Sequence, residues 1–398
     1  MPEGATINVS RAMLPAGFTL LQVVPALDAG GVETLTLDVA GAAAGAGARS
    51  LVASRGGRLE AELKRRGGEL IRLPLHARDP LSLYFNARRL ERVIGGEKVS
   101  VVHARSRGPA FSALAAARRT GVPIVTTYHG IYAAASPLKR WYNSVMTRGD
   151  AVIANSAFTR GHILGEHAVA PEKVVVIPEG VDTGMFNPAA VPDSRVAAAR
   201  AAWGLGESDA RPIILLPARL AAWKGHEVII AALARGPARK DFVLVFTADG
   251  AQGPHGVRLG AEAGAAGIDL RFALTGADMP AALRAADLVV APSTSAESFG
   301  RAVAEAGAMG KVVIASRLGG PAETIVDGQT GWLAAAGDVD AWTAAIERAL
   351  AMSPPDLAAM GAAARARIER LYSLTRMCKD TFSLYLRVLQ SGGGVSAP

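Results

Sequence analysis

Short β-branched runs recur along the whole chain, and stretches rich in Ala and Leu with helical spacing separate them. In the first half the runs are TLLQVVP, RSLVAS, VSVVHA, PIVTTYH, DAVIANS and KVVVIPEG; in the second they are PIILLPA, FVLVFTA, LRFALTG, ADLVVAPS and KVVIAS. Consecutive parallel strands need a crossover, usually a helix, and that crossover is right-handed. The alternation therefore predicts an α/β protein with parallel sheets covered by helices on both faces. One stretch breaks the rhythm: PEGVDTGMFNPAAVPD, ending at Asp193, is rich in Pro, Gly and Asp and reads as a connection between two such units. The expected organisation is two Rossmann-like domains facing each other across a cleft, residues 1–190 and 191–372. Helical spacing breaks near Ser373, so a terminal helix over about 373–390 is expected to pack back on the first domain.

Composition narrows what such a protein can do. Half of the 398 residues are apolar and 20% are charged, the balance of a globular chain and not a disordered one. A single cysteine, Cys378, excludes an intramolecular disulfide and fits a reducing compartment. No apolar run approaches the ~18 residues that span a bilayer, and the N-terminus lacks a signal-peptide pattern. The expected location is cytoplasmic, with a peripheral position at the membrane face as the alternative. Residues 1–190 carry 22 Lys/Arg against 15 Asp/Glu, and the remainder 21 against 20. The excess of +7 in the first half points to an anionic partner there. Aromatic residues, at 5%, are too few for a base-stacking platform, so nucleic acid is not expected.

In open parallel sheets ligands bind beyond the carboxyl ends of the strands, so residues that follow each strand are the candidates. After PIILLPA comes ARLAAWKGH, with Arg219 and Lys224 on a loop that enters a helix. Two cations beside a helix N-terminus make an anion site, the arginine forking two oxygens and the lysine acting as a point charge. After ADLVVAPS comes TSAESFGRAVAE, with a helix expected from about Phe299. The N–H groups of Phe299, Gly300 and Arg301 then lack partners within that helix. Glu297 precedes this helix and Glu305 lies two turns inside it, so the two carboxylates can accept hydrogen bonds from hydroxyls at different parts of one elongated ligand. A sugar nucleotide offers such hydroxyls on its hexose and its ribose. In the first half, Gly30 and Gly31 follow TLLQVVPALDA, His129 ends PIVTTYH, and Arg105 and Arg107 follow VSVVHA. Asp338 and Asp340 form an Asp-x-Asp, but they open a helical stretch and read as a cap; no metal site is expected.

Together these stretches resemble glycosyltransferase family 4, retaining enzymes with the GT-B fold, from about Leu20 to Leu350. GGVE looks like the family's N-terminal glycine loop, ARLAAWKG like its Arg-x4-Lys clamp, and ESFGRAVAEAGAMGKVVIAS like its E-x7-E segment; NSAFTR, IPEGVD and GGPAETIVDGQTGWL also fit. Within the family, LQVVPALDAGGVE and RWYNSVMTRGDAVIANS look most like bacterial enzymes of lipopolysaccharide-core sugar transfer, often mannosyltransferases. The resemblance implies that Arg219 and Lys224 grip a donor diphosphate and that Glu305 holds the ribose. It implies that Glu297 meets the transferred sugar with the amides of Phe299, Gly300 and Arg301. Gly30 and Gly31 would cover the phosphates, His129 would approach the sugar, and Thr275 and Gly276 of TGADM would hold the base. Two departures stand out: Ala296 replaces the proline that many relatives carry before the first acid, and TADGAQG stands where a glycine-rich turn is common.

Transfer without a metal or other cofactor follows if fixed cations stabilise the charge developing on the leaving phosphate. The implied course is retention by front-face attack. The expected donor is GDP-mannose, with a UDP-sugar as the alternative, and the expected acceptor an anionic glycolipid reached by Arg105 and Arg107. LSLYFNARRLERV and SPLKRWYNSVM mix apolar and basic residues as a peripheral contact with an anionic inner-membrane surface would require. A dehydrogenase is excluded because GAAAGAG has the wrong glycine spacing. A nucleotide-sugar 2-epimerase and a non-catalytic sugar-nucleotide binding protein share the fold and stay as alternatives.

Overall fold

A computed structural model describes residues 13–28, 30–77, 79–132, 135–236, 241–247, 251–273 and 278–392. Two compact units emerge: Met1–Gly180 with Leu374–Pro398, and Val181–Ser373. The sheet of the first unit contains β1 (Thr19–Val23), β2 (Arg49–Ser54), β3 (Gly68–Arg72), β4 (Val101–Ala104), β5 (Ile124–Tyr128), β6 (Ala151–Ala154) and β7 (Val174–Val176). That of the second contains β8 (Ile213–Leu216), β9 (Val243–Thr247), β10 (Asp269–Ala273), β11 (Leu288–Ala291), β12 (Val313–Ser316) and β13 (Trp332–Ala334).

Both sheets are parallel, in the orders β3-β2-β1-β4-β5-β6-β7 and β10-β9-β8-β11-β12-β13. In each, the order reverses beside the first strand, between β1 and β4 and between β8 and β11. That reversal is the crevice where doubly wound sheets take ligands.

The strands read as unbroken apolar runs because each sheet is covered on both faces. In β8, Ile213 and Leu215 join one apolar core while Ile214 and Leu216 join the other. The same alternation runs through β9, with Val243 and Val245 on one side and Leu244 and Phe246 on the other. Two strands escape the sequence pattern. β3 (GELIR) is an edge strand whose residues are mostly half-buried or exposed, and β13 (WLA) is an edge strand of three residues. Neither produces an apolar run.

The segment after β7 is not loose. Val181, Phe186 and Val191 lie in an apolar core of the second unit, so the chain enters that unit at Val181. There the Val181 N–H donates to the Tyr372 carbonyl at 2.8 Å. In the first unit Gly180 has no space for a side chain, since a Cβ would lie 2.5 Å from the Leu374 Cα. The last helix, Leu374–Gly392, belongs to the first unit. Leu374, Met377, Cys378, Phe382, Leu384 and Tyr385 fill one face of its core with Phe18, Leu20, Val125 and Ile153.

Candidate functional site

In the second unit, two loops at the β8–β11 reversal are stitched together. The chain leaves β8, makes a short turn at Ala222–Lys224, and enters helix His226–Arg235 through Gly225. Gly225 has φ 75°, and a Cβ there would sit 2.0 Å from the Pro292 carbonyl oxygen in the loop after β11. Only glycine permits both the backbone angle and the contact. The Thr294 N–H donates to the Trp223 carbonyl at 2.8 Å, joining the same two loops.

This juncture brings Lys224 to Glu297, with Nζ 2.8 Å from Oε2 and both side chains less than one-fifth exposed. Ser293 Oγ donates to the other carboxylate oxygen, Oε1, at 2.5 Å. Trp223 lies beneath the cations: its ring centre is 4.4 Å from Lys224 Nζ and 6.0 Å from the Arg219 guanidinium. Arg219 itself is exposed. The arrangement is a half-buried lysine–carboxylate pair beside an open arginine, which can exchange its internal ion pair for an anionic ligand and its hydroxyls.

Helix Arg301–Ala308 begins two residues later than the sequence suggests, because Gly300 (φ 86°) is its N-cap. A Cβ on Gly300 would strike the Pro321 Cγ at 2.5 Å. No side chain caps this helix and its first turn carries no acid, so its positive end is unopposed by local carboxylates. The Phe299 side chain is not at the surface; it is buried, with its ring centre 5.9 Å from that of Tyr372. Phe299 can therefore meet a ligand only through its backbone. Gly320 N–H donates to the Glu297 carbonyl at 2.8 Å, and a Cβ on neighbouring Gly319 would lie 2.4 Å from that oxygen, so the Glu297 loop rests on two glycines. Glu305 lies one helical turn from Arg301, whose Nη2 donates to its Oε1 at 3.1 Å. Asp338 accepts the N–H groups of Asp340 and Ala341 and caps helix Val339–Leu350. Thr275 and Gly276 lie outside the described residues, as do Ala248–Gly250 of TADGAQG.

In the first unit, Gly30 (φ 137°) precedes helix Gly31–Gly45. The carboxylate of Glu33 folds back over it: a Cβ on Gly30 would lie 2.6 Å from Glu33 Oε2. Burial pushes the Glu33 carboxyl above its usual range. An acid at the glycine loop is a feature the sequence reading passed over, although GGVE spells it.

Arg105, expected to stand at a strand end facing a ligand, is instead 4% exposed. Its Nε donates to Gln22 Oε1 at 2.7 Å, and its Nη2 is buried without a hydrogen-bond partner. The physical reason is the terminal helix. His103 Nδ1 meets the Tyr385 hydroxyl of that helix at 2.5 Å, and its Nε2 meets Thr127 Oγ1 at 2.7 Å. Burial, with Arg105 and His129 nearby, holds the His103 imidazole well below its usual pKa. Arg107 is half-buried at the start of helix Arg107–Thr120, its guanidinium 4.0 Å from the Tyr132 ring centre and its Nη1 donating to Asn143 at 2.6 Å.

His129 follows β5, and its Nδ1 lies 3.4 Å from Glu179 Oε1. Asn155 Nδ2 donates to the same oxygen at 2.9 Å. Asn155 and Glu179 were not singled out from the sequence, although they lie in NSAFTR and IPEGVD. The signal was available: they follow β6 and β7 as His129 follows β5.

With this geometry in view, comparison with known proteins places the chain. The profile of "Glycosyltransferase Family 4" matches residues 29–184, and that of "Glycosyl transferases group 1" matches residues 200–367. A D-inositol 3-phosphate glycosyltransferase of Segniliparus rotundus is 33% identical over 300 residues, 70% of this chain and 64% of the relative. A GDP-mannose-dependent alpha-(1-6)-phosphatidylinositol monomannoside mannosyltransferase of Mycolicibacterium smegmatis is 32% identical over 296 residues, 70% of this chain and 74% of the relative. The crystal structure of a glycosyltransferase from Rickettsia africae superposes with a TM-score of 0.86 at 31% identity, over 94% of this chain and 99% of that one. The chain belongs to glycosyltransferase family 4 and has the GT-B fold, with two Rossmann-like domains. It spans 64% of the length of the Segniliparus relative.

Proposed function

We propose that the protein is a retaining glycosyltransferase that moves a hexose, mannose in the favoured case, from a nucleoside-diphosphate sugar to an anionic glycolipid. The observation that carries this reading is the Lys224–Glu297 pair held at the β8–β11 reversal, next to Arg219 and the uncapped end of helix Arg301–Ala308. A diphosphate draws Lys224 and Arg219 to its oxygens and frees Glu297 for the sugar hydroxyls. As the bond from the anomeric carbon to the phosphate breaks, negative charge grows on the leaving oxygen, and the fixed cations stabilise it more than the ground state. Glu305 holds the ribose, and the Gly30–Gly31 loop approaches the phosphates. His129 meets the sugar. Thr275 and Gly276 are the proposed contacts to the base. Attack by the acceptor on the face the phosphate leaves, with that phosphate taking the proton, retains configuration.

Mannose is favoured because the Mycolicibacterium relative is named a GDP-mannose-dependent mannosyltransferase. For the acceptor, that name and the inositol phosphate name of the Segniliparus relative support a phosphorylated or lipid-linked polyol. Arg107, at the start of a helix with no acid in its first turn, is the proposed anion contact. Leu81, Tyr84 and Phe85 on helix Pro80–Gly96 and Leu138 and Trp141 on helix Pro137–Asn143 are all exposed, among Arg88, Arg92, Lys139 and Arg140. Such a mixture suits the surface of an anionic membrane, where a lipopolysaccharide-core intermediate or a phosphoinositide would be met. No described helix is long and apolar enough to cross a membrane.

The test is release of nucleoside diphosphate from GDP-mannose and UDP-glucose, alone and with each of the two lipid classes, by the wild type and by Arg219→Ala. The reading predicts release from one donor that an anionic lipid accelerates and Arg219→Ala abolishes, with retained anomeric configuration in the product. A trapped glycosyl-enzyme adduct would overturn the front-face course. Conversion of the sugar nucleotide without an acceptor would establish an epimerase instead.

A further inference from the structure

We infer that Ser293 is a positioning residue for Glu297: its hydroxyl pins one carboxylate oxygen, and the donor sugar meets the other, Oε2, when Lys224 turns to the diphosphate. The inference deepens the donor site proposed above and rests on it. All of the geometry lies within the second unit. Ser293 Oγ donates to Glu297 Oε1 at 2.5 Å, and Lys224 Nζ lies 2.8 Å from Oε2. The two holds differ in kind. Lys224 carries its charge on a flexible stem and can follow an anion. Ser293 is short and 5% exposed, so it stays where the backbone puts it. The carboxylate keeps room for a ligand: the Glu297 side chain is 19% exposed, and an ionised carboxylate has about four acceptor sites.

The loop after β11 is built to keep Ser293 still. On one side of it Pro292 presses its carbonyl into the space that a Cβ on Gly225 would need. On the other side the Thr294 N–H donates to the Trp223 carbonyl at 2.8 Å, and the Thr294 hydroxyl approaches the same oxygen at 3.3 Å. Ser293 is thus fixed against the turn that carries Lys224. Glu297 is anchored through its backbone, where its carbonyl accepts the Gly320 N–H at 2.8 Å, but its side chain is long. A glutamate without a restraint spreads over several rotamers, and capturing a hydroxyl then costs the entropy of fixing it. The Ser293 hydroxyl removes that cost and holds the carboxylate in line after its cation has moved to the phosphates. Because Ser293 is buried and its hydroxyl is engaged by Glu297, it acts through Glu297 and not on the sugar.

The experiment is calorimetric titration of the full chain with GDP, GDP-mannose, UDP and UDP-glucose, comparing each sugar nucleotide with its own nucleoside diphosphate. A merely structural role would weaken both members of a pair alike, whereas a role through Glu297 touches the sugar alone. For the pair that the wild type binds, Ser293→Ala should weaken the sugar nucleotide about 10-fold and leave the nucleoside diphosphate within about 2-fold. In a Glu297→Ala background the same substitution should cause no further loss. Equal losses for both members of the pair, or no loss for either, overturn the inference. Losses that multiply in the double variant also overturn it. A wild type that binds neither member of either pair defeats the donor site itself and the inference with it, and that failure is seen without any variant.

Discussion

In the second unit the charged residues beyond the strand ends, Arg219, Lys224 and Glu297, sit in loops, half-buried or exposed, and Lys224 neutralises Glu297. In the first unit Arg105, His129 and Glu179 likewise follow strands, β4, β5 and β7, but lie sealed among side chains, with Leu374–Gly392 over part of them. One sheet order thus carries two kinds of site. The open one is suited to capturing a ligand by exchanging ion pairs. The sealed one is suited to holding its own side chains in place. Substitutions in the open set should change ligand affinity and rate with little effect on folding, and substitutions in the sealed set should change stability as well.

The largest effect is expected from Lys224→Ala, which removes a cation proposed to stabilise the developing charge. A loss of about 10²–10³ in kcat, on the order of 3–4 kcal/mol, should come with a melting temperature near that of the wild type. Unfolding of the variant at assay temperature would place Lys224 among the structural residues instead. Next is acid stability. His226 is fully buried in the second unit, edge-on to Phe246, and burial lowers its pKa to about 4. The unfolded chain protonates it near 6.5, so between pH 6.5 and 4 the unfolded state binds more protons and stability falls as the pH falls. The contribution is about 3 kcal/mol, lost across that window. Denaturant titrations should show a shallower pH slope there in His226→Leu, and an unchanged slope would remove His226 from the account.

In the sealed set, Tyr385→Phe removes the hydroxyl that meets His103 Nδ1. A buried ring nitrogen left without its partner costs about 1–3 kcal/mol, measurable as a lower denaturation midpoint. Donor-nucleotide binding by the second unit should be unchanged. The smallest pair separates a cap from a surface charge. Asp338→Ala should cost about 1 kcal/mol, because two N–H groups lose their acceptor. Asp340→Asn should change stability by less than about 0.5 kcal/mol, because its pairing with Arg235 is solvent-exposed. Equal effects would contradict the capping assignment.

The legibility of this molecule follows the same division. Eleven of the thirteen described strands produce apolar runs because both faces of their sheets are covered, and these were readable. In β3 only Gly68 is fully buried, and β13 has three residues, so neither supplies an apolar run long enough to stand out. Residues at strand ends were readable as candidates, since position after a strand is a sequence property. Their depth was not. Nothing in HARSR says that Arg105 is interior, because the helix that covers that part of the unit is formed by residues some 270 positions later. The pairings Lys224–Glu297 and His129–Glu179 are likewise long-range, and each depends on two strand ends meeting in the folded sheet.

The most direct measurement is thermal unfolding of the wild type and Arg219→Ala with GDP, UDP and ADP. A ligand at 100 times its dissociation constant adds ~2.7 kcal/mol to the state it binds. Stabilisation of the wild type by GDP alone, lost in Arg219→Ala, is the predicted result. Stabilisation by UDP instead would keep the clamp and reject mannose transfer from GDP-mannose. A wild type that responds to no nucleotide, or a variant that responds as the wild type does, would contradict the claim that these loops form a nucleotide-sugar site.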